Sequence, residues 1–268
     1  MKRNRRNAHF LFLSFCIGMN LAAVETSFAA DPAPTAALPP APPSKWESLA
    51  AVDLSLTRGN SSDFLGTFSL NTKRKWSSDE VLLGGAAGYG ETHPKDKQET
   101  RNQDYLKGFG QWNHLFTERI YGGLRLEGLH DDIANVDYRV AVSPLAGYYL
   151  IKQTNTFLAV EAGPSWVHER LFVPFPSSDL ERSYFALRFA ERYEYKFKTG
   201  ARIWETAELI PSVEHWADYI FNLEAGVSAP ITKSLDVRLV VQDTYDNKPA
   251  PHRLKNDFKL GAGLAYRF

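Results

Sequence analysis

Residues 258–268 read Phe-Lys-Leu-Gly-Ala-Gly-Leu-Ala-Tyr-Arg-Phe. Phe258, Leu260, Ala262, Leu264, Tyr266 and Phe268 share one parity, and Lys259, Gly261, Gly263, Ala265 and Arg267 share the other. Side chains of an extended chain point alternately to opposite faces. The segment is therefore a strand with one oily face and one small or polar face.

The same alternation recurs upstream. Twelve such segments follow Trp46, at about 46–58, 62–76, 79–92, 99–116, 118–131, 136–151, 154–170, 182–198, 200–214, 217–229, 233–246 and 255–268. The connections after the even-numbered segments are short, as at Ser77-Ser78, Thr117-Glu118 and Thr199-Gly200. Three of the others are long and polar: Thr92–Arg101, Glu169–Arg182 and Tyr245–Asn256. Tight turns at one rim and longer loops at the other are the pattern of a transmembrane barrel. The expected fold is an all-β, antiparallel transmembrane β-barrel of twelve strands over residues 46–268, with short periplasmic turns and longer extracellular loops. An even count puts both chain ends at the periplasmic rim. A chain stopping on an alternating strand with an aromatic last residue resembles the closing strand of bacterial outer-membrane barrels. That resemblance implies that Gly263, Tyr266 and Phe268 are read by the barrel-insertion machinery.

The other end agrees. Lys2, Arg3, Arg5 and Arg6 precede an apolar run from Phe10 to Val24, and Ser27-Phe28-Ala29 is a small-x-small cleavage site. Residues 1–29 read as a secretory signal peptide, too short to span a bilayer. The chain's one cysteine, Cys16, lies inside it, so the mature chain has no disulfide or thiol chemistry. Residues 30–45 form a Pro/Ala-rich linker with no means of building a core. No later apolar run is long enough for a transmembrane helix. Aromatic residues make up 13% of the chain, which suits interfacial girdles. The basic residues are dispersed among acidic ones, which argues against a nucleic-acid partner.

Parity assigns the faces. Tyr219, Phe221, Leu223, Ala225 and Val227 point out, whereas Ile220, Asn222, Glu224, Gly226 and Ser228 point in. Pro144 and Pro164 fall inside strands and imply local irregularities, because proline lacks a ladder donor. Glu191 and Glu205 fall on the outward face, which requires either a shifted register or a place near an interface. The inward face collects charge. Arg125, Arg139, Arg188, Arg192 and Arg238 oppose Glu127, Glu161, Glu208 and Glu224. These nine either line a polar pore that steers ions or neutralise one another in a plugged lumen.

An outer-membrane hydrolase needs a serine beside a histidine on the barrel wall. None of His93, His114, His130, His168, His215 and His252 lies in a His-x-Ser pattern. His130-Asp131-Asp132 is a weak divalent-cation motif and reads better as a solvated loop. The tryptophans fall mostly near strand ends and read as an interfacial belt. Phe172-Val173-Pro174-Phe175-Pro176 reads as an apolar loop tip.

Leu56-Thr57-Arg58-Gly59-Asn60-Ser61-Ser62 resembles the Gly-Asn-Ser/Thr loop of a family of salt-induced outer membrane proteins of unknown function. Glu99–Asn102, Phe116–Tyr121, His130–Arg139 and Glu161–Pro164 are similar to it in order and spacing. The resemblance implies an outer-membrane barrel and supplies no catalytic residue. The expected function is that of a bacterial outer-membrane barrel linked to salt or envelope stress, either a narrow channel or a structural protein. No enzymatic activity, cofactor or metal is expected. The expected partners are outer-membrane lipid and lipopolysaccharide, the insertion machinery, and small ions or solutes. A lipid hydrolase and a soluble periplasmic ligand-binding barrel are the alternatives.

Overall fold

The computed structural model describes residues 45–58, 61–94, 100–174, 177–251 and 253–268. The expected signal peptide, the expected linker up to residue 44, the Gly59-Asn60 pair and His252 lie outside the described residues.

Alternation folds the chain into β1 (Glu47–Arg58), β2 (Ser61–Lys75), β3 (Asp79–Pro94), β4 (Thr100–Leu115), β5 (Ile120–Asp131), β6 (Val136–Lys152), β7 (Thr156–Pro174), β8 (Ser177–Lys196), β9 (Arg202–Pro211), β10 (Tyr219–Pro230), β11 (Leu235–Asp246) and β12 (Asn256–Arg267). Each strand pairs antiparallel with its neighbours in sequence, and β1 pairs with β12 to close a twelve-stranded barrel. Closure removes the open edges of the sheet over the height that all twelve strands share, which lipid requires of a sheet that spans it. At the rim holding both chain ends, the turns between the described strands contain three to five residues.

The opposite rim departs from the sequence reading. Glu169–Arg182, expected to be the longest loop, is mainly strand. Glu169 pairs with Arg182, Leu171 with Leu180 and Pro174 with Ser177. The segment expected to be an apolar tip is strand as far as Pro174, and only Phe175 and Pro176 lie outside the described residues. β7 and β8 are therefore the longest strands, with 19 and 20 residues. β9 pairs with β8 only from Phe189 onward, plus one bridge at Ala186↔Ser212. The β7–β8 hairpin thus outruns the wall on that side.

The two faces differ in kind. Val52, Leu54, Phe68, Leu106, Phe185, Leu239 and Leu264 stand exposed on the outside. Apolar exposure on this scale is the pattern of a lipid-facing barrel wall and far exceeds the patches that water-soluble monomers tolerate. Trp46, Trp76, Trp112, Trp166 and Trp216 are exposed. Trp204 corrects the belt reading. It points inward, donating from Nε1 to Glu224 at 3.1 Å, with the Arg202 guanidinium 4.9 Å from its ring. Glu191 and Glu205 do face outward, with no register shift: Glu191 pairs with Ala207 and Glu205 with Tyr193. Glu191 borders a shallow outer groove of about 600 Å³ beside Tyr148, Phe189 and Phe221.

Pro144 and Pro164 confront each other. The β6–β7 pairing stops at Val142↔Trp166 and resumes in the same register at Ala146↔Ala162. Gly163 fits this gap because a Cβ there would lie 2.0 Å from the Pro144 carbonyl oxygen. Ser143 donates to Ser165 at 2.8 Å on the inner side.

The closing seam depends on Gly263 in a similar way. A Cβ on it would lie 1.9 Å from the Val52 carbonyl oxygen and 2.6 Å from Asp53 Oδ1. Gly263→Val should therefore part β1 from β12. The expected loss is about 3 kcal/mol or more, since overpacking against backbone finds no flexible neighbour to yield. Loss of the compact, heat-modifiable form on unheated gels checks this; a normal compact band would show that the seam relaxes.

Candidate functional site

Among the described residues the buried charges gather on the inner wall, where they are brought together in three groups. The first is central. Glu161 on β7 accepts from Arg188 Nη1 at 2.9 Å, Arg192 Nη2 at 3.1 Å, Tyr121 OH at 2.8 Å and Gln111 Nε2 at 2.9 Å. Arg188 also donates from Nε to Glu208 at 2.5 Å, and Glu208 accepts from Asn222 at 3.2 Å. Arg125 joins through Gln111 at 3.1 Å and Glu127 at 2.7 Å, with its guanidinium 4.0 Å from the Phe109 ring centroid. Strands β4, β5, β7, β8, β9 and β10 are tied together here. The Glu161 and Arg188 side chains are 1% and 5% exposed, so this part of the lumen is filled.

The second group sits at the rim opposite the chain ends. Arg139 donates to Glu169 at 2.5 Å and to Asp246 at 3.0 Å. Arg182 also binds Glu169 and reaches Asp218 at 3.4 Å. The Arg139–Asp246 bond joins β6 to β11, nearly diametrically opposed in the ring, and so crosses the mouth. Residues 247–251 and 253–255, between β11 and β12, cross it too. Ala250 is buried against Val136 and Leu171, and Arg253 donates to Asn135 Oδ1 at 2.5 Å.

The third group closes the seam. Arg238 on β11 grips Asp53 on β1 with two bonds, of 2.8 and 2.7 Å. It reaches across the glycines of β12. Near it Glu224 accepts from Trp204 and, at 2.8 Å, from Gln242.

All nine arginines and glutamates singled out from the sequence lie on the inner wall, but in three separate clusters rather than one. Sequence reasoning missed Tyr121, Gln111, Asp218 and Asp246. Tyr121 and Gln111 had inward parity without charge, and Asp218 and Asp246 stood at strand ends beside the mouth. His130 and Asp131 do not converge on a cation. His130 Nε2 lies 3.3 Å from Asp132, whereas Asp131 caps the backbone N–H of Ala134 at 2.8 Å. No group of three metal-ligating side chains occurs among the described residues.

The filling is incomplete. Asn71, Lys107, Thr206 and Thr244 all lie on the inner face, yet all are exposed. Asn71 is near the chain-end rim, Lys107 and Thr206 are midway along β4 and β9, and Thr244 is near the far mouth. The inner wall thus carries uncovered polar side chains at three levels.

Solved structures with this architecture are outer-membrane barrels. The NanC porin aligns with a TM-score of 0.51 at 7% identity, over 82% of this chain and all (100%) of that one. The translocator domain of the autotransporter NalP from Neisseria meningitidis gives 0.48 at 10% identity, over 83% and 88% of the two chains. An outer membrane channel from Pseudomonas putida F1 gives 0.46 at 11%, over 90% and 100%. At such identities the likeness is one of fold. No curated protein matches the sequence. A family model described as "Protein of unknown function, DUF481" matches residues 51–268, from the first strand to the last residue. The chain belongs to that family.

Proposed function

We propose that the protein is a narrow channel of the bacterial outer membrane, passing small ions or solutes through a lumen pinched by paired charges and covered at its outer mouth by the β11–β12 loop. The carrying observation is the water-exposed inner residues Asn71, Lys107, Thr206 and Thr244, spread along the height of the wall. In this reading the chain ends face the periplasm, outer-membrane lipid and lipopolysaccharide cover the apolar wall, and Gly263, Tyr266 and Phe268 serve the insertion machinery. The link to salt or envelope stress belongs to the same reading, and growth of a deletion strain in raised salt tests it.

The channel is tested by single-channel recording of the refolded protein in a planar bilayer under a salt gradient. Discrete conductance steps are expected. Fixed charges facing a narrow pore set its ion preference. Glu224→Ala should therefore move the reversal potential toward anion preference, and Lys107→Ala toward cation preference. A silent bilayer with a correctly folded barrel would overturn the channel.

A further inference from the structure

His168 and Ser183 are directly opposed on β7 and β8. Ser183 Oγ lies 2.8 Å from His168 Nδ1. The other ring nitrogen, Nε2, lies 3.3 Å from Glu181 Oε1 and 3.1 Å from the Tyr138 hydroxyl. The imidazole is stacked on Trp166, with ring planes 2° apart and centroids at 5.7 Å. A hydroxyl, a base within hydrogen-bond reach of it, and a carboxylate that orients the base make up the relay of an activated serine.

The placement suits one kind of substrate. His168 shares the outer face with Trp166 and Phe172, and Ser183 shares it with Phe185 and Phe189, all four exposed apolar rings. The relay thus sits on the lipid side of the wall, near the rim away from the chain ends, where a bilayer presents its ester linkages. The backbone supplies a further part. Phe185 gives its carbonyl to Val213 on the β9 side. Ser183, two residues earlier, directs its own N–H to that same side. β9 has turned away by that level, the last bridge being Ala186↔Ser212. The Ser183 amide therefore points past the end of the ladder, where a carbonyl oxygen attacked by the same residue would develop its charge.

From this geometry we infer that Ser183 and His168 form an acyl-ester hydrolase centre on the outer wall, with Glu181 as a positioning residue and the acyl esters of membrane lipids as substrate class. Ser183 Oγ bonds to the ester carbonyl carbon as its proton passes to His168. The carbon–oxygen bond to the lipid alcohol then breaks, and His168 returns that proton to the leaving oxygen. Water, deprotonated by His168, attacks the acyl-serine, releasing a fatty acid and restoring Ser183. No oxidant or metal is required for the balance. The centre does not depend on the lumen, so it stands or falls separately from the channel.

The test uses the full mature protein refolded in detergent, with the heat-modifiable compact band confirming each barrel. A fluorophosphonate probe should label Ser183, located by peptide mass spectrometry. Labelling should vanish in Ser183→Ala and fall at least tenfold in His168→Asn. Fatty-acid release is followed in parallel from phosphatidylethanolamine micelles and from lipopolysaccharide, and the arm that responds identifies the ester source. Glu181→Gln should lower kcat with KM unchanged, and Glu181→Asp should restore part of it. A folded wild-type barrel that neither takes the probe at Ser183 nor releases fatty acid from either lipid overturns the proposal. So does release that persists unchanged in Ser183→Ala.

Discussion

Replacing residues 248–254 with a single glycine is expected to raise the single-channel conductance severalfold. The loop starts from β11 and β12 but packs on the far wall, where Ala250 is buried among Val136, Leu171, Leu129 and Ala134. Lys248 Nζ lies 3.4 Å from Asp218, and Arg253 donates to Asn135. In a ring of twelve strands, β12 stands diametrically across from β6, so the Ala250 and Arg253 contacts lay a strap over the opening. Removing it leaves the strand ends undisturbed, because Asp246 N already bonds the Lys255 carbonyl at 2.8 Å, as in a short hairpin. Arg253→Ala should act more mildly, lengthening open dwell times without changing step size. An unchanged conductance in the deletion would move the constriction down to Glu161.

Arg188→Ala should cost about 3–5 kcal/mol of stability, the range for removing one member of a buried ion pair. Arg188 stands between Glu161 and Glu208, and its loss strands both carboxylates in a packed region. Glu161→Gln should also destabilise, because Arg192 has no other carboxylate within 4.0 Å among the described residues. Combining the two should cost less than their sum, since each relieves part of the other's unpaired charge. Urea-dependent loss of the compact gel band measures all three. If Arg188→Ala unfolds at the wild-type urea concentration, water solvates the stranded carboxylates and the central lumen is wider than the contacts indicate.

Strand count and faces were legible because period two is written into each strand wherever an apolar outer side backs a polar inner one. The alternation fails where that condition fails. Glu169–Arg182 carries charges and serines on both parities, because the hairpin it forms rises past its β9 neighbour and no longer has one oily side. Trp204 was readable in principle: it shares parity with Arg202 and Glu208, yet its type suggested the belt. Partnerships were less accessible than faces. Asp53 and Arg238 are 185 positions apart and meet only through the register of three strands. The Ser183–His168 contact likewise spans two strands, so a search for both residues along one strand passed over it.

The Asp53–Arg238 grip also bears on how the molecule is finished. Its partners come from the first and penultimate strands, and the last strand lies between them. Neither charge can find its mate until β12 has slid into place over Gly261 and Gly263. An unfinished chain therefore carries an acid and a base facing an incomplete interior beside two raw sheet edges. A finished one has neither. Completion is recorded electrically, and a chain truncated before its final eleven residues betrays itself by the two charges it leaves unmatched.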